Sequence, residues 1–178
     1  MTRATLDFEA LPPPSPPTDG MVQHGCSYTE DSFAIESLLA NCSFGHGFVS
    51  VHMPPNPSQP DSINRYTGSV TFANFAWFGT TRLSRPGGGS FTLVSIELDT
   101  FNPASGQADV SQPQTVTFTG TRLDGTTVTQ ASTTDTAFRR REAFLFRSDF
   151  VDVVKVEWDQ LSPSFHQFDN IVVATRAQ

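Results

Sequence analysis

Short runs of Val, Thr and Phe alternate with polar residues and are cut at brief intervals by Gly, Pro, Asn or Asp. That pattern limits what this chain can fold into. A period of two sends alternate side chains to opposite faces of a strand, whereas an amphipathic helix needs apolar residues every three or four positions. No long stretch carries the helical period. Residues 6–11, 28–37, 47–52, 69–78, 90–99, 114–120, 126–130, 143–146, 151–158 and 168–173 read as strands, about ten short ones. Phe33 and Ile35 face inward in one of them, and Val94, Ile96 and Leu98 share a face in another. Leu123-Asp124-Gly125 between two alternating runs predicts a hairpin. The expected class is all-β, a single antiparallel β-sandwich.

At 178 residues the chain fits one domain, residues 1–178, with sixteen Phe supplying most of the large apolar surface. Residues 12–20 are rich in proline, which lacks the N–H a ladder needs, so this stretch is expected to cross the surface between sheets. With so few residues before it, it is not read as a linker. The formal net charge of −7 opposes phosphate backbones, so no nucleic-acid partner is expected. The basic run Arg139-Arg140-Arg141, flanked by Asp135, Glu142 and Asp149, reads as a solvated loop or strand edge. No segment approaches the roughly 20 apolar residues of a membrane span. The opening Met1-Thr2-Arg3-Ala4-Thr5 lacks the apolar core of a signal peptide.

The two ends of the chain carry the first candidate site. Leu6-Asp7-Phe8-Glu9 alternates, which puts Asp7 and Glu9 on one strand face, and Phe168-Asp169-Asn170 leads into the apolar Ile171-Val172-Val173. If the first and last strands are neighbours, Glu9 and Asp169 converge. Paired carboxylates raise each other's pKa unless a cation or hydrogen bonds offset the repulsion, and hard cations such as Ca²⁺ take this kind of oxygen shell. The alternative is that Asp169 and Asn170 cap a turn through their own backbone.

The segments Leu6-Asp7-Phe8-Glu9-Ala10-Leu11-Pro12, Tyr28-x-Glu30-Asp31-x-Phe33-x-Ile35-x-Ser37, Phe91-x-Leu93-x-Ser95-Ile96-Glu97-Leu98, Val116-x-Phe118-x-Gly120 and Phe168-Asp169-Asn170-Ile171-Val172-Val173 run in this order through most of the chain. Together they resemble the galactose-binding-like jelly-roll domains of bacterial secreted and surface-anchored proteins, a class that includes carbohydrate-binding modules. The resemblance implies a jelly-roll sandwich, an extracellular or cell-surface location, and a structural Ca²⁺ at positions matching Glu9 and Asp169, with Asp7 beside them. One departure is Ser32, where that family usually has Gly.

A sugar-binding module needs an aromatic ring to pack on the apolar face of a pyranose. Trp77 and Tyr66 are the candidates, and Trp158, on the face of Val154 and Val156, is expected in the core. Cys26 and Cys42 form either one disulfide, closing a loop of about 15 residues and worth roughly 3 kcal/mol, or two buried thiols. Asn41-Cys42-Ser43 fits a glycosylation acceptor. His24 with both cysteines lacks a fourth zinc ligand, and His46 and His52, six apart, stand roughly 20 Å apart on a strand; His166 is the fourth histidine. Nucleophile-elbow, metalloprotease and phosphate-loop motifs are absent from the sequence. Glu97 with Asp99 and Glu157 with Asp159 are read as solvated outer-face charges, not a glycosidase pair.

The expected role is non-catalytic binding of a carbohydrate with a structural Ca²⁺. The alternatives are a structural or interaction protein bound to another surface protein, and a glycan-active jelly-roll enzyme.

Overall fold

A computed structural model describes residues 1–13, 20–39, 42, 47–52, 66–74, 79–101, 113–135, 141–159 and 165–176. Thirteen strands and no helix occur among them: β1 (Thr2–Leu6), β2 (Met21–Gln23), β3 (Ser27–Glu30), β4 (Phe33–Ser37), β5 (Phe48–Val51), β6 (Thr71–Asn74), β7 (Thr80–Ser84), β8 (Thr92–Phe101), β9 (Thr115–Arg122), β10 (Thr127–Thr133), β11 (Glu142–Leu145), β12 (Val153–Asp159) and β13 (Phe165–Thr175). They form two antiparallel sheets. Sheet A runs β11-β8-β13-β6-β5-β2, with β1 also paired to β13, and sheet B runs β10-β9-β12-β7-β4-β3.

The core lies between the sheets. Phe72 stacks between Phe8 and Phe48, at ring-centre distances of 5.0 and 4.7 Å. Trp158 of sheet B meets Phe168 of sheet A edge-on at 5.4 Å and Phe118 at 5.5 Å, so one indole ties the layers together. Each fully buried ring of this kind stabilises the fold by about 1.5–3 kcal/mol. Trp158 is therefore core, as its alternation implies.

Strand β13 organises sheet A. One side pairs with β8 along most of its length. The other side pairs first with β6, at Phe168↔Phe72, and then with β1, from Leu6↔Ile171 to Thr2↔Thr175. The first and last described strands are thus neighbours.

Local chemistry moves several boundaries. Residues 28–37 are not one strand but the β3–β4 hairpin, because Asp31 and Ser32 both take left-handed φ values (46° and 66°) and reverse the chain. Phe33 and Ile35 still face the core. Val94, Ile96 and Leu98 do not share one face: the register between β8 and β13 shifts twice, around Asn170 (φ 45°) and Val94, so Leu93, Ile96 and Leu98 are the buried set. The hairpin at Asp124-Gly125 is present, with Gly125 at φ 83° and Arg122 N–H donating to the Thr126 carbonyl at 2.9 Å. Among the described residues no helix is long and apolar enough to cross a membrane.

Candidate functional site

Alternation along sheet A sends Phe48, Phe72, Leu98 and Phe168 into the core and Val51, Thr71, Glu97, Asp99, Gln167 and Asp169 to the opposite face. A row of polar bonds crosses that outer face. Thr71 Oγ1 donates to Gln167 Oε1 at 2.7 Å, and Gln167 Nε2 donates to Asp99 Oδ2 at 2.9 Å. All three residues are almost wholly buried, so Asp99 is not a solvated surface charge. Tyr66 rests half-buried beside this row, against Val51 and Met21.

The second part of the row centres on a like-charge pair. Asp169 and Glu97 stand directly opposite one another across β13 and β8, an arrangement that repels unless a cation intervenes. The Arg141 guanidinium does so: it pairs with Asp169 Oδ2, with Glu97 Oε2 at 3.2 Å, and donates to Ser69 Oγ at 2.6 Å. Ser69 donates to Asp169 at 2.6 Å, and Asn170 Nδ2 donates to Glu97 at 3.0 Å. Burial raises the Asp169 carboxyl to about 6, while bonds from Ser69, Asn170 and Arg141 pull the other way. Arg141 is therefore a buried-network cation and not part of a solvated run; Arg139 and Arg140 lie outside the described residues.

Glu9 and Asp169 reach the same short segment but make no shared shell. Glu9 accepts the Val70 N–H at 3.0 Å while Asp169 holds Ser69. Asp7 and Glu9 do not share a strand face, because β1 ends at Leu6 and Phe8 turns the chain at φ 58°. Asp7 instead accepts the Glu9 N–H at 3.2 Å, and Glu30 of the other sheet clamps the turn by accepting from Asp7 and Phe8 N–H at 3.2 and 3.3 Å. That carboxyl is raised by burial, and the neighbouring Tyr28 hydroxyl is pushed up to about 12 by burial and by Glu30. Each carboxylate of the expected calcium set already has a protein donor. Among the described residues no three His, Cys, Asp or Glu side chains are grouped closely enough to hold a metal ion.

Cys26 and Cys42 are joined by a disulfide with Cα atoms 5.7 Å apart, which removes both thiols from any zinc set with His24. His24 has a different partner. Its Nε2 and that of His52 both lie 2.7 Å from Ser50 Oγ, so one hydroxyl serves two imidazoles. Burial lowers the pKa of both; His52 adds to the effect on His24, and Glu9 opposes it on His52. His166 is fully buried and held down to about 4 by desolvation.

Glu157 is half-buried between Arg82 (2.7 Å) and Lys155 (3.0 Å), and the exposed Asp159 accepts from Thr80 at 2.6 Å. Trp77, Asn41 and His46 lie outside the described residues. Arg141, Ser69, Gln167, Ser50 and Glu30 carry the polar architecture without having been singled out as site residues. Only the placing of Asp99 and Gln167 opposite the core residues Leu98 and Phe168 was available beforehand, by alternation.

These features define a two-sheet all-β sandwich with a polar outer face on one sheet. The chain matches no protein-family model and no curated protein sequence.

Proposed function

We propose that the domain is a non-catalytic binding module whose ligand is a carbohydrate, held on the outer face of sheet A. The observation carrying this reading is that Tyr66 shares this face with the partly exposed Arg141, Glu97 and Asn170, which the buried Thr71, Gln167 and Asp169 hold from beneath. An aromatic ring beside fixed amide, guanidinium and carboxylate groups matches a sugar, which has an apolar C–H face and a rim of hydroxyls. The motif resemblance to galactose-binding-like jelly-roll domains points the same way. The Cys26–Cys42 disulfide supports an extracellular or surface location, since such bonds persist in oxidising compartments.

A glycan array probed with wild type, Tyr66→Ala and Trp77→Ala tests the reading. Wild type is expected to bind a defined glycan set, with at least one variant weakened about tenfold or more at unchanged fold. A silent wild type would move the domain to the structural, protein-binding class.

Calcium is a separable proposal. An ion at Glu9, Asp7 and Asp169 would require Asp169 to exchange Arg141 for the metal. Melting with Ca²⁺ against chelator decides it: an upward shift that Asp169→Ala abolishes supports the ion, and identical curves remove it without touching the glycan reading.

A further inference from the structure

A depression of about 370 Å³ opens at one end of the sandwich, between the β1–β13 ladder of sheet A and the β3–β4 turn of sheet B. Thr2 and Thr175 line one side, Asp31, Ser32 and Phe33 the other, and Arg85 lies just beyond β7. Its size is that of a small-ligand cleft.

Arg85 is the informative residue. It is half-buried and among the described residues has no carboxylate partner, as is true also of the exposed Arg3 and of Arg122, which donates instead to the Asp149 carbonyl, whereas Arg82, Arg141, Arg147 and Arg176 are ion-paired. In a chain of net charge −7 an unpaired, half-buried guanidinium stands out. It is also held in place. The Phe33 ring lies beneath it at 5.9 Å, and Gly89 closes the other side, where a Cβ would come within 2.7 Å of Nη1.

The remaining polar wall groups are three hydroxyls, one carboxylate and the exposed Arg3 guanidinium. Thr2, Asp31, Ser32 and Thr175 line the same volume, yet none of their side chains bonds another described residue. Asp31 and Ser32 also occupy left-handed φ positions where glycine is the unstrained choice, so the turn keeps two polar side chains at a conformational cost.

We propose that this cleft binds an acidic saccharide, with Arg85 holding its carboxylate or sulfate and Asp31, Ser32, Thr2 and Thr175 taking its hydroxyls. The guanidinium fork fits a planar or tetrahedral oxyanion. Asp31 decides between ligands: it repels a bare anion and accepts hydrogen bonds from a polyhydroxylated one. The ligand class rests on the proposed glycan-binding role, but the site is a separate one from the face carrying Tyr66.

Titration calorimetry of the full chain tests this with an oligouronate, a sulfated oligosaccharide, a neutral oligosaccharide of equal length, and sodium sulfate at matched ionic strength. The wild type is expected to prefer one acidic oligosaccharide over the neutral one. Arg85→Gln should weaken that binding by about ten- to a hundredfold, and Gly89→Ala, which keeps the charge but displaces the guanidinium, should weaken it too. Tyr66→Ala should leave it unchanged. Acidic binding that survives Arg85→Gln but is lost in Tyr66→Ala overturns this site and keeps the outer-face reading. Sulfate ion binding as well as the saccharides, or no acidic binding at all, overturns the proposal. Neutral-glycan binding in that last case leaves the broader function standing.

Discussion

Strands β9 and β10 of sheet B alternate buried and exposed residues along most of their length, whereas β5 and β6 of sheet A are buried on both faces. Both sheets supply the same kind of inner face, Phe-rich and apolar. Their outer faces differ in what the backbone has to support. Sheet B shows water Thr117, Thr129 and Thr133, which need no protein partner, while sheet A buries Thr71, Asp99, Gln167 and Asp169, which do. A buried polar side chain is tolerable only when its bonds are made, so sheet A carries a specific network and sheet B a generic surface.

Single substitutions measure this contrast. Gln167→Ala removes the amide that joins Thr71 to Asp99 and leaves a buried carboxylate short of a donor; urea unfolding should register a loss of about 3 kcal/mol. Thr117→Ala on sheet B should change stability by less than about 0.5 kcal/mol. Comparable losses at the two positions would erase the distinction.

Arginine removal comes next. Arg141→Met leaves Asp169 and Glu97 facing one another and should destabilise by about 2–3 kcal/mol at neutral pH. Arg82→Met leaves Glu157 with Lys155 and partial solvation, so less than about 1 kcal/mol is expected.

Titration distinguishes sheet A, where two buried groups act in opposite senses, from sheet B. The Asp169 carboxyl is raised to about 6, so its contribution to stability falls as pH rises between its unfolded value and 6. His166, lowered to about 4, works in the opposite sense: its contribution is lost as pH falls from 6.5 through 4. The two slopes oppose one another within sheet A. Asp169→Asn should unmask the histidine, giving stability that climbs by about 2–3 kcal/mol between pH 4 and 6.5. Glu157 in sheet B behaves as an ordinary paired carboxylate. Burial would raise it, but Lys155 and Arg82 hold it below its usual value, so its contribution is lost only as pH falls through that lowered value. A wild type and Asp169→Asn with superimposable pH profiles would refute the opposed titrations.

One substitution is expected to be a gain. Ser32→Gly relieves a left-handed φ in the β3–β4 turn and should stabilise by about 1 kcal/mol in thermal melts. A loss would mean that the hydroxyl has a structural role.

The sandwich was legible because period-two alternation is set by residues such as Phe33, Ile35, Leu98 and Phe168, whose burial dominates the energy. The pairing of the terminal strands entered the sequence reading only as the condition for Glu9 and Asp169 to converge, and the β1–β13 ladder supplies it. The polar site was only half legible. Asp169 was marked by its setting before Ile171-Val172-Val173, but its partner Arg141 sits 28 residues away, in a run whose charges look solvated when read locally. The β3–β4 turn was missed for a related reason: Asp31-Ser32 lacks the glycine that announces a tight hairpin, and only the tertiary pairing of Tyr28 with Ile35 reveals it. Glu30 and Ser50 gain their roles from contacts 22 and 26 residues distant, which no local pattern encodes.

The position of β13 between β8 and the β6–β1 side has a kinetic consequence. Sheet A cannot close until residues 165–175 are available, and β1 must keep its ladder unpaired until then, since its partner lies 173 positions downstream (175 − 2). Sheet B, by contrast, is complete once β12 has formed. Such non-local pairing places the chain among slow-folding β topologies, on the order of milliseconds to seconds. In that interval β6 and β8 present open edges to other chains, so aggregation during synthesis should begin at sheet A.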